Sequence, residues 1–272
     1  MKRITIEKEI TLKGVGLHTG EPCEITFKPS QDGIIFVRKD MPSMPIKACL
    51  ANVVSTMRGT NLANAAAQVH TVEHVLSAAN GLNISDLIVE MTGPEPPIMD
   101  GSSLPYAQAL MEASLKEVGG EQPSISISKK LEYKEGDIVY TAEPCEGFQI
   151  TFVFVREHPL VGRRQCSVEI TPDSYMKEIA PARTFGFEEE LAYLRANGLA
   201  RGGSIHNCIV VQKDAYSVPL RFEDELVRHK ILDTVGDLKL LGKKIERTRI
   251  TCVMGGHKSN INFAKILESA QN

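Results

Sequence analysis

The chain has 272 residues, 42% of them hydrophobic and 24% charged, with a formal net charge of −3. That length allows one large domain or two ordinary ones, and the composition is globular, without low-complexity tracts and too weakly basic overall for a nucleic-acid partner. No apolar run reaches bilayer-spanning length and the first residues lack a signal peptide's apolar core, so a cytoplasmic protein without a transmembrane segment is expected.

Residues 1–50 alternate β-type runs (4–10, 23–27, 34–37 and 45–49) with turns. Gly14-Val15-Gly16-Leu17-His18-Thr19-Gly20 superficially resembles a phosphate-cradling loop. It opens no apolar helix, so a hairpin turn with His18 as decoration or rim contact is the better reading. A helix is expected over 68–80, with Val69, Val72, Val75, Leu76 and Ala79 as its stripe and Gly81 as its cap. A strand over 84–91, a loop over 93–103 and a helix over 106–118 follow. Gly119-Gly120-Glu121-Gln122-Pro123 is the best linker.

After it the pattern restarts with strands at 125–133, 138–143, 148–155 and 165–170 and a helix at 188–197. A strand at 207–211, a helix at 223–241, a strand at 249–253 and a helix at 260–268 complete the chain. Glu21-Pro22-Cys23-Glu24 with Ile25-Thr26-Phe27 finds an echo in Glu143-Pro144-Cys145-Glu146 with Ile150-Thr151-Phe152, which duplication or chance could produce. Strands and helices in separate runs predict an α+β fold with two layers in each half.

Chemistry concentrates in a few places. The six cysteines are scattered with no C-x-x-C pair, so any metal must be held by His and carboxylates. Within the helix 223–241, His229, Asp233 and Asp237 stack at i, i+4 and i+8, with Ile231, Leu232, Val235 and Leu238 opposite. Such a stripe suits a cation such as zinc, or is a solvated helix face. Residues 226–258 hold 8 basic and 3 acidic residues, an excess suited to an anionic small molecule.

His70-Thr71-Val72-Glu73-His74 matches the H-x-x-E-H pattern of inverted zinc peptidases. Alternatively only Glu73 and His74 matter, with the helix at 229–237 supplying the other ligands; helix-surface residues are the bland option. His257 sits on a glycine turn after a strand, and contact with Asp237 would make it an imidazolium acid. Thr184, in Ala180-Pro181-Ala182-Arg183-Thr184-Phe185-Gly186-Phe187, could donate to an oxyanion, and the Arg201-Gly202-Gly203-Ser204 turn could bring backbone close to a ligand.

Taken in order, several strings resemble the bacterial UDP-3-O-acyl-N-acetylglucosamine deacetylases, zinc hydrolases of lipid A biosynthesis. They are Lys13–Gly20, Thr71-Val72-Glu73-His74, Pro97-Ile98-Met99-Asp100-Gly101-Ser102-Ser103 and Ala182-Arg183-Thr184-Phe185-Gly186-Phe187. Gly198-Leu199, Gly202-Gly203-Ser204, Leu220-Arg221-Phe222-Glu223-Asp224-Glu225, Val227–Asp233 and Gly256-His257 complete the set. The resemblance implies two similar α+β domains, 1–122 and 123–272, each a β-sheet layered with helices, with the active site between them. It also implies an inserted acyl-passage element around 184–211.

By the same resemblance, His74, His229 and Asp233 bind Zn2+, Glu73 is the general base and His257 the general acid. Asp237 partners His257, and Thr184 donates to the oxyanion. Lys230, Phe185, Gly203, Ser204, His18 and Met57 face a UDP-linked acylated amino sugar, and transient membrane contact is possible. His70 is not a functional position of that family and is expected to be an ordinary helix residue. A zinc peptidase using His70 and a metal-free binding module are the competing classes.

Overall fold

The computed structural model describes residues 2–270. Two five-stranded sheets form its frame. The first contains β1 (Ile10–Val15), β2 (Pro22–Lys28), β3 (Ile34–Arg38), β4 (Ile46–Lys47) and β5 (Leu87–Met91), in the spatial order β1-β2-β5-β3-β4. The second contains β6 (Leu131–Glu135), β7 (Ile138–Pro144), β8 (Phe148–Arg156), β9 (Gly162–Glu169) and β10 (Thr248–Val253), in the order β6-β7-β10-β8-β9. Each sheet is antiparallel except for one parallel pair at the equivalent place, β3 with β5 and β8 with β10.

Equivalent registers carry equivalent cores. Phe27 and Phe36 flank Val89 in one sheet; Tyr140 and Phe152 flank Cys252 in the other, and all six are fully buried. Duplicated halves are therefore present, but the Glu-Pro-Cys-Glu echo does not mark them. It begins β2 in one half and ends β7 in the other, and Ile-Thr-Phe falls on β2 and β8, which are not equivalent strands.

A parallel pair needs a crossover, and each half uses a helix for it. In the first half this is α1 (Glu73–Gly81), followed after β5 by α2 (Leu104–Glu112). Between β9 and its crossover helix the second half carries α3 (Glu188–Ala196); the crossover helix is α4 (Glu225–Leu238), and α5 (His257–Ser269) follows β10. One continuous apolar cluster spans both halves. A smaller one (Val161, Phe187, Ile209, Val211 and Leu226) sits beside α3, where 185–187 and 209–211 pair as parallel strands.

Several expected boundaries move. The helix over 68–80 begins only at Glu73, because Ala67–Val69 closes a three-stranded sheet and Thr71 adopts φ +52° with its hydroxyl donated to Glu95. A β-branched residue in the left-handed region cannot sit within a helix. His70 is therefore a loop residue, not a helix residue. Gly81 is the last helical residue rather than a left-handed cap; a Cβ there would lie 2.2 Å from the Tyr175 ring.

The helix expected over 106–118 stops at Glu112, since Ser114 takes φ +58°. Leu115–Glu121 then pairs antiparallel with Lys2–Ile6, so Gly119 and Gly120 lie in a strand rather than a free linker. His257 is the first residue of α5, not part of a turn.

Candidate metal centre

Helix α4 is buried almost all round, including its polar stripe: His229 and Asp233 are 3% exposed and Asp237 is fully buried. A solvated face is thereby excluded. The stripe packs against the start of α1 because residue 236 is glycine; a Cβ there would meet the Glu73 carbonyl oxygen at 2.2 Å. This close approach sets Glu73 and His74 against the α4 stripe.

One donor atom each from His74, His229 and Asp233 lies within 4.8 Å of the others. His229 Nδ1 is 3.0 Å from the Ala182 carbonyl, which only accepts, so Nδ1 carries the proton and Nε2 the lone pair. That Nε2 faces Asp233 Oδ1 at 3.3 Å. Burial holds His229 and His74 down, His74 to about 3, with the other imidazole adding to the effect on His74. Burial by itself would raise Asp233, but His229 and Lys230 outweigh it and hold the carboxyl below its ordinary value.

Two neutral imidazoles and a carboxylate are thus in ligand form at neutral pH. Ligand atoms about 2.0–2.2 Å from a tetrahedral cation are roughly 3.3 Å apart, the His229–Asp233 spacing. His74 Nδ1 is buried and, among the described residues, without a hydrogen-bond partner. An uncommitted nitrogen in a buried histidine fits a ligand better than a packing residue. The residues present therefore fit a divalent cation.

His257 sits beside this trio. Its Nδ1 is 2.9 Å from Asp237 Oδ2 and its Nε2 is 3.8 Å from Glu73 Oε1. Burial pulls this imidazole down, but Asp237, Glu73 and Asp233 overcome it and raise it to about 10. Glu73 is raised as well: burial takes its carboxyl to about 7, against the pull of His257.

Thr60 donates its backbone N–H to Glu73 (2.8 Å) and its hydroxyl to Asp237 Oδ1. Asn260 donates to Asp237 Oδ2 at 2.7 Å and accepts from Tyr140. Sequence reasoning missed Thr60, Asn260 and Tyr140, because no local spacing ties them to Asp237.

A cavity of about 410 Å³ opens over the trio, lined also by Glu73, His257, Thr184, Phe185 and Lys230. A second cavity of about 220 Å³ adjoins it through Thr184 and Phe185 and runs along α3 past Leu191, Leu194, Ile205 and Val210. Gly203, Ser204 and His18 line this second space.

His18 Nε2 contacts the Arg58 carbonyl at 2.9 Å. Met57 is 73% exposed and lines a separate surface hollow with His18 and His70. Lys230 donates to Asp233 Oδ2 at 2.8 Å and lies over the Phe185 ring, so it orients a member of the trio. Of the 8 basic residues of 226–258, only Lys230 lines the cavity over the trio, so the excess expected to suit an anionic small molecule is not gathered there. His70 is outside the trio, its Nδ1 facing Asn61 Oδ1 at 3.3 Å, so the H-x-x-E-H pattern does not assemble as a site.

The sequence matches the family described as LpxC, UDP-3-O-acyl N-acetylglycosamine deacetylase, over residues 3–269. The chain belongs to this family. It is similar to the UDP-3-O-acyl-N-acetylglucosamine deacetylase of Thermodesulfovibrio yellowstonii, at 41% identity covering 97% of this chain and 90% of the relative. The proteins of that name from Marinobacter nauticus and Saccharophagus degradans are each 42% identical, covering 100% and 90% of this chain and 91% and 83% of their own lengths. A peptidase is not supported. Among the described residues, no helix of this deacetylase-family chain is long and apolar enough to cross a membrane.

Proposed function

We propose that this chain hydrolyses the acetamide of a UDP-3-O-acyl-N-acetylglucosamine, releasing acetate and the free amine, as a step of lipid A synthesis. The observation that carries this reading is the buried His74/His229/Asp233 trio with a carboxyl and an imidazolium, Glu73 and His257, at the same cavity. Two imidazoles and one carboxylate suit zinc. A bound Zn2+ supplies Lewis-acid chemistry, acidifying water and drawing charge from a carbonyl oxygen.

The chain's own residues move the protons. Glu73, whose ordinary value is raised to about 7 by burial, is matched to take a proton from water near neutral pH. Thr184 has its backbone tied to Gly101 and Ile209, while its hydroxyl has no protein partner among the described residues. That hydroxyl donates to the carbonyl oxygen as negative charge develops there. His257, held protonated by Asp237, gives its Nε2 proton to the departing nitrogen. Glu73 then returns the proton it took from water to His257 Nε2, 3.8 Å away, so water and amide become acetic acid and amine, the acid ionises to acetate, and both residues are restored.

The adjoining apolar cavity takes the acyl chain, with Phe185 at its entrance and the Gly203-Ser204 turn on its wall. Lys230, Arg58 and Arg156 are the cations of the main cavity and serve the diphosphate; His18 and Met57 are outlying contacts. Exposed Ile205, at the apolar cavity, is where transient contact with a membrane would hand over the lipid. The six free cysteines accord with a cytoplasmic setting. We place the division between the halves at 122/123 and the acyl-passage element around 184–211.

Acetate release from sugar nucleotides of graded acyl length tests this reading. Each methylene buried should add about 0.8 kcal/mol of preference until the passage is filled. Equal rates with UDP-N-acetylglucosamine lacking the acyl chain would remove the acyl assignment. Full turnover by Glu73→Gln would remove the proposed chemistry.

A further inference from the structure

A cavity of about 670 Å³ lies where the two halves meet, and it shares no lining residue with the metal cavity or the apolar passage. Arg3, Lys47 and Asp86 come to it from the first half, and Lys239 and Lys243 from the turn that ends α4. Lys239 is 4% exposed, yet among the described residues its ammonium has neither a hydrogen bond nor an ion pair. Its side chain is buried while the nitrogen itself opens on the cavity, since His74 Nδ1 alone is a fully buried side-chain nitrogen or oxygen without a partner among the described residues; a charge held there with no protein counter-group still carries a desolvation penalty.

The nearest available counter-charge is already spent. Asp86 is fully buried and accepts from Arg3 on both oxygens, from the Gly33 N–H on one and from the Ser85 hydroxyl on the other. Burial accordingly lowers Lys239 to about 8, with only a through-space pull from Asp86 in its favour and Lys244 against it. The remaining acids of the cavity, Asp32 and Glu121, are solvent-exposed at its rim.

Setting the Arg3–Asp86 pair aside, three ammonium groups from two halves of the chain line one space. A carboxylate, with one charge and two oxygens, leaves part of this donor set unmet. A phosphoryl group, with up to two charges and three terminal oxygens, answers it. The volume also exceeds what inorganic phosphate fills, leaving room for an organic substituent.

We propose that this cavity is a binding site for a phosphomonoester, its phosphoryl group anchored on Lys239 and flanked by Lys47 and Lys243. The site is independent of the deacetylation chemistry, since none of its residues touches the metal cavity.

The test is calorimetric titration of the full-length, metal-loaded protein with inorganic phosphate and, separately, with glycerol 3-phosphate, at ionic strength fixed with chloride. Saturable binding is expected for the wild type. Lys239→Met should weaken it by about tenfold or more while leaving deacetylase turnover unchanged, because a charge-assisted contact is lost. The double variant Lys47→Glu/Lys243→Glu changes only groups outside the core, and it should also weaken binding; it keeps the test decisive if Lys239→Met folds poorly. Tighter binding of glycerol 3-phosphate supports the phosphomonoester, and equal binding of the two probes would overturn that assignment in favour of free phosphate. No saturable binding by the wild type, or binding that survives both variants unchanged, would overturn the site itself.

Discussion

His257 is held between two carboxylates, with Asp237 at 2.9 Å on Nδ1 and Glu73 at 3.8 Å from Nε2. Burial opposes its charge and the carboxylates restore it, raising the imidazole to about 10. Its proton is therefore available across the neutral range and is lost only toward that value. Asp237→Asn should move the basic limb of the rate profile to lower pH, and His257→Gln should lower turnover by roughly 10²–10⁴-fold with little change in KM. A pH–rate series on the two variants checks both; an unmoved basic limb in Asp237→Asn would contradict the pairing.

The same shift has a consequence for stability. A raised folded value against an ordinary one of about 6.5 means the contribution of His257 is whole below about 6.5 and fades as pH rises toward 10. Melting temperatures across that window should fall more steeply for wild type than for His257→Gln. Thr60→Val tests the support beneath this pair. It strips the hydroxyl donor from the buried Asp237 carboxylate, which should cost about 1–3 kcal/mol in a denaturant titration and lower turnover without moving KM.

At the scale of elements, the contact between α1 and α4 builds the site, and it depends on Gly236. Gly236→Ala must push the Glu73 backbone away from α4, so a loss of about 1–3 kcal/mol and weaker metal retention are expected. Gly186→Ala, where a Cβ meets nothing within 4 Å, is the control. Thermal melts with metal analysis of both variants decide the matter.

The stripe His229, Asp233 and Asp237 was legible in the sequence because i, i+4 spacing is a property of one helix. Its burial was not, since what covers it is α1, more than 140 residues earlier. Thr60 and Asp237 are 177 residues apart, so no local pattern could join them. The union of His74 with α4 came from family resemblance rather than from spacing. The misplaced start of α1 and the misplaced end of α2 have a common cause: Thr71 and Ser114 break apolar periodicity through positive φ values that hydrophobic patterning does not register.

Across the whole molecule, the duplicated sheets place their crossover helices back to back, and a single apolar cluster runs through both halves. The α+β class was readable from runs of strands and helices. The repeated strand order was not, because its two copies share topology and core registers rather than residues. Since α1 buries its face against α4, residues 1–122 expressed alone should expose apolar surface and bind a hydrophobic dye, while the full chain should not.

The trio of His74, His229 and Asp233 joins α1 of the first half to α4 of the second. Its most direct test is the metal content of purified Asp233→Ala, with far-UV circular dichroism verifying the fold. A folded variant that has lost its bound zinc and its deacetylase activity is the predicted result. A folded variant that retains zinc as tightly as the wild type would contradict it, because Asp233 would then have no part in holding the ion.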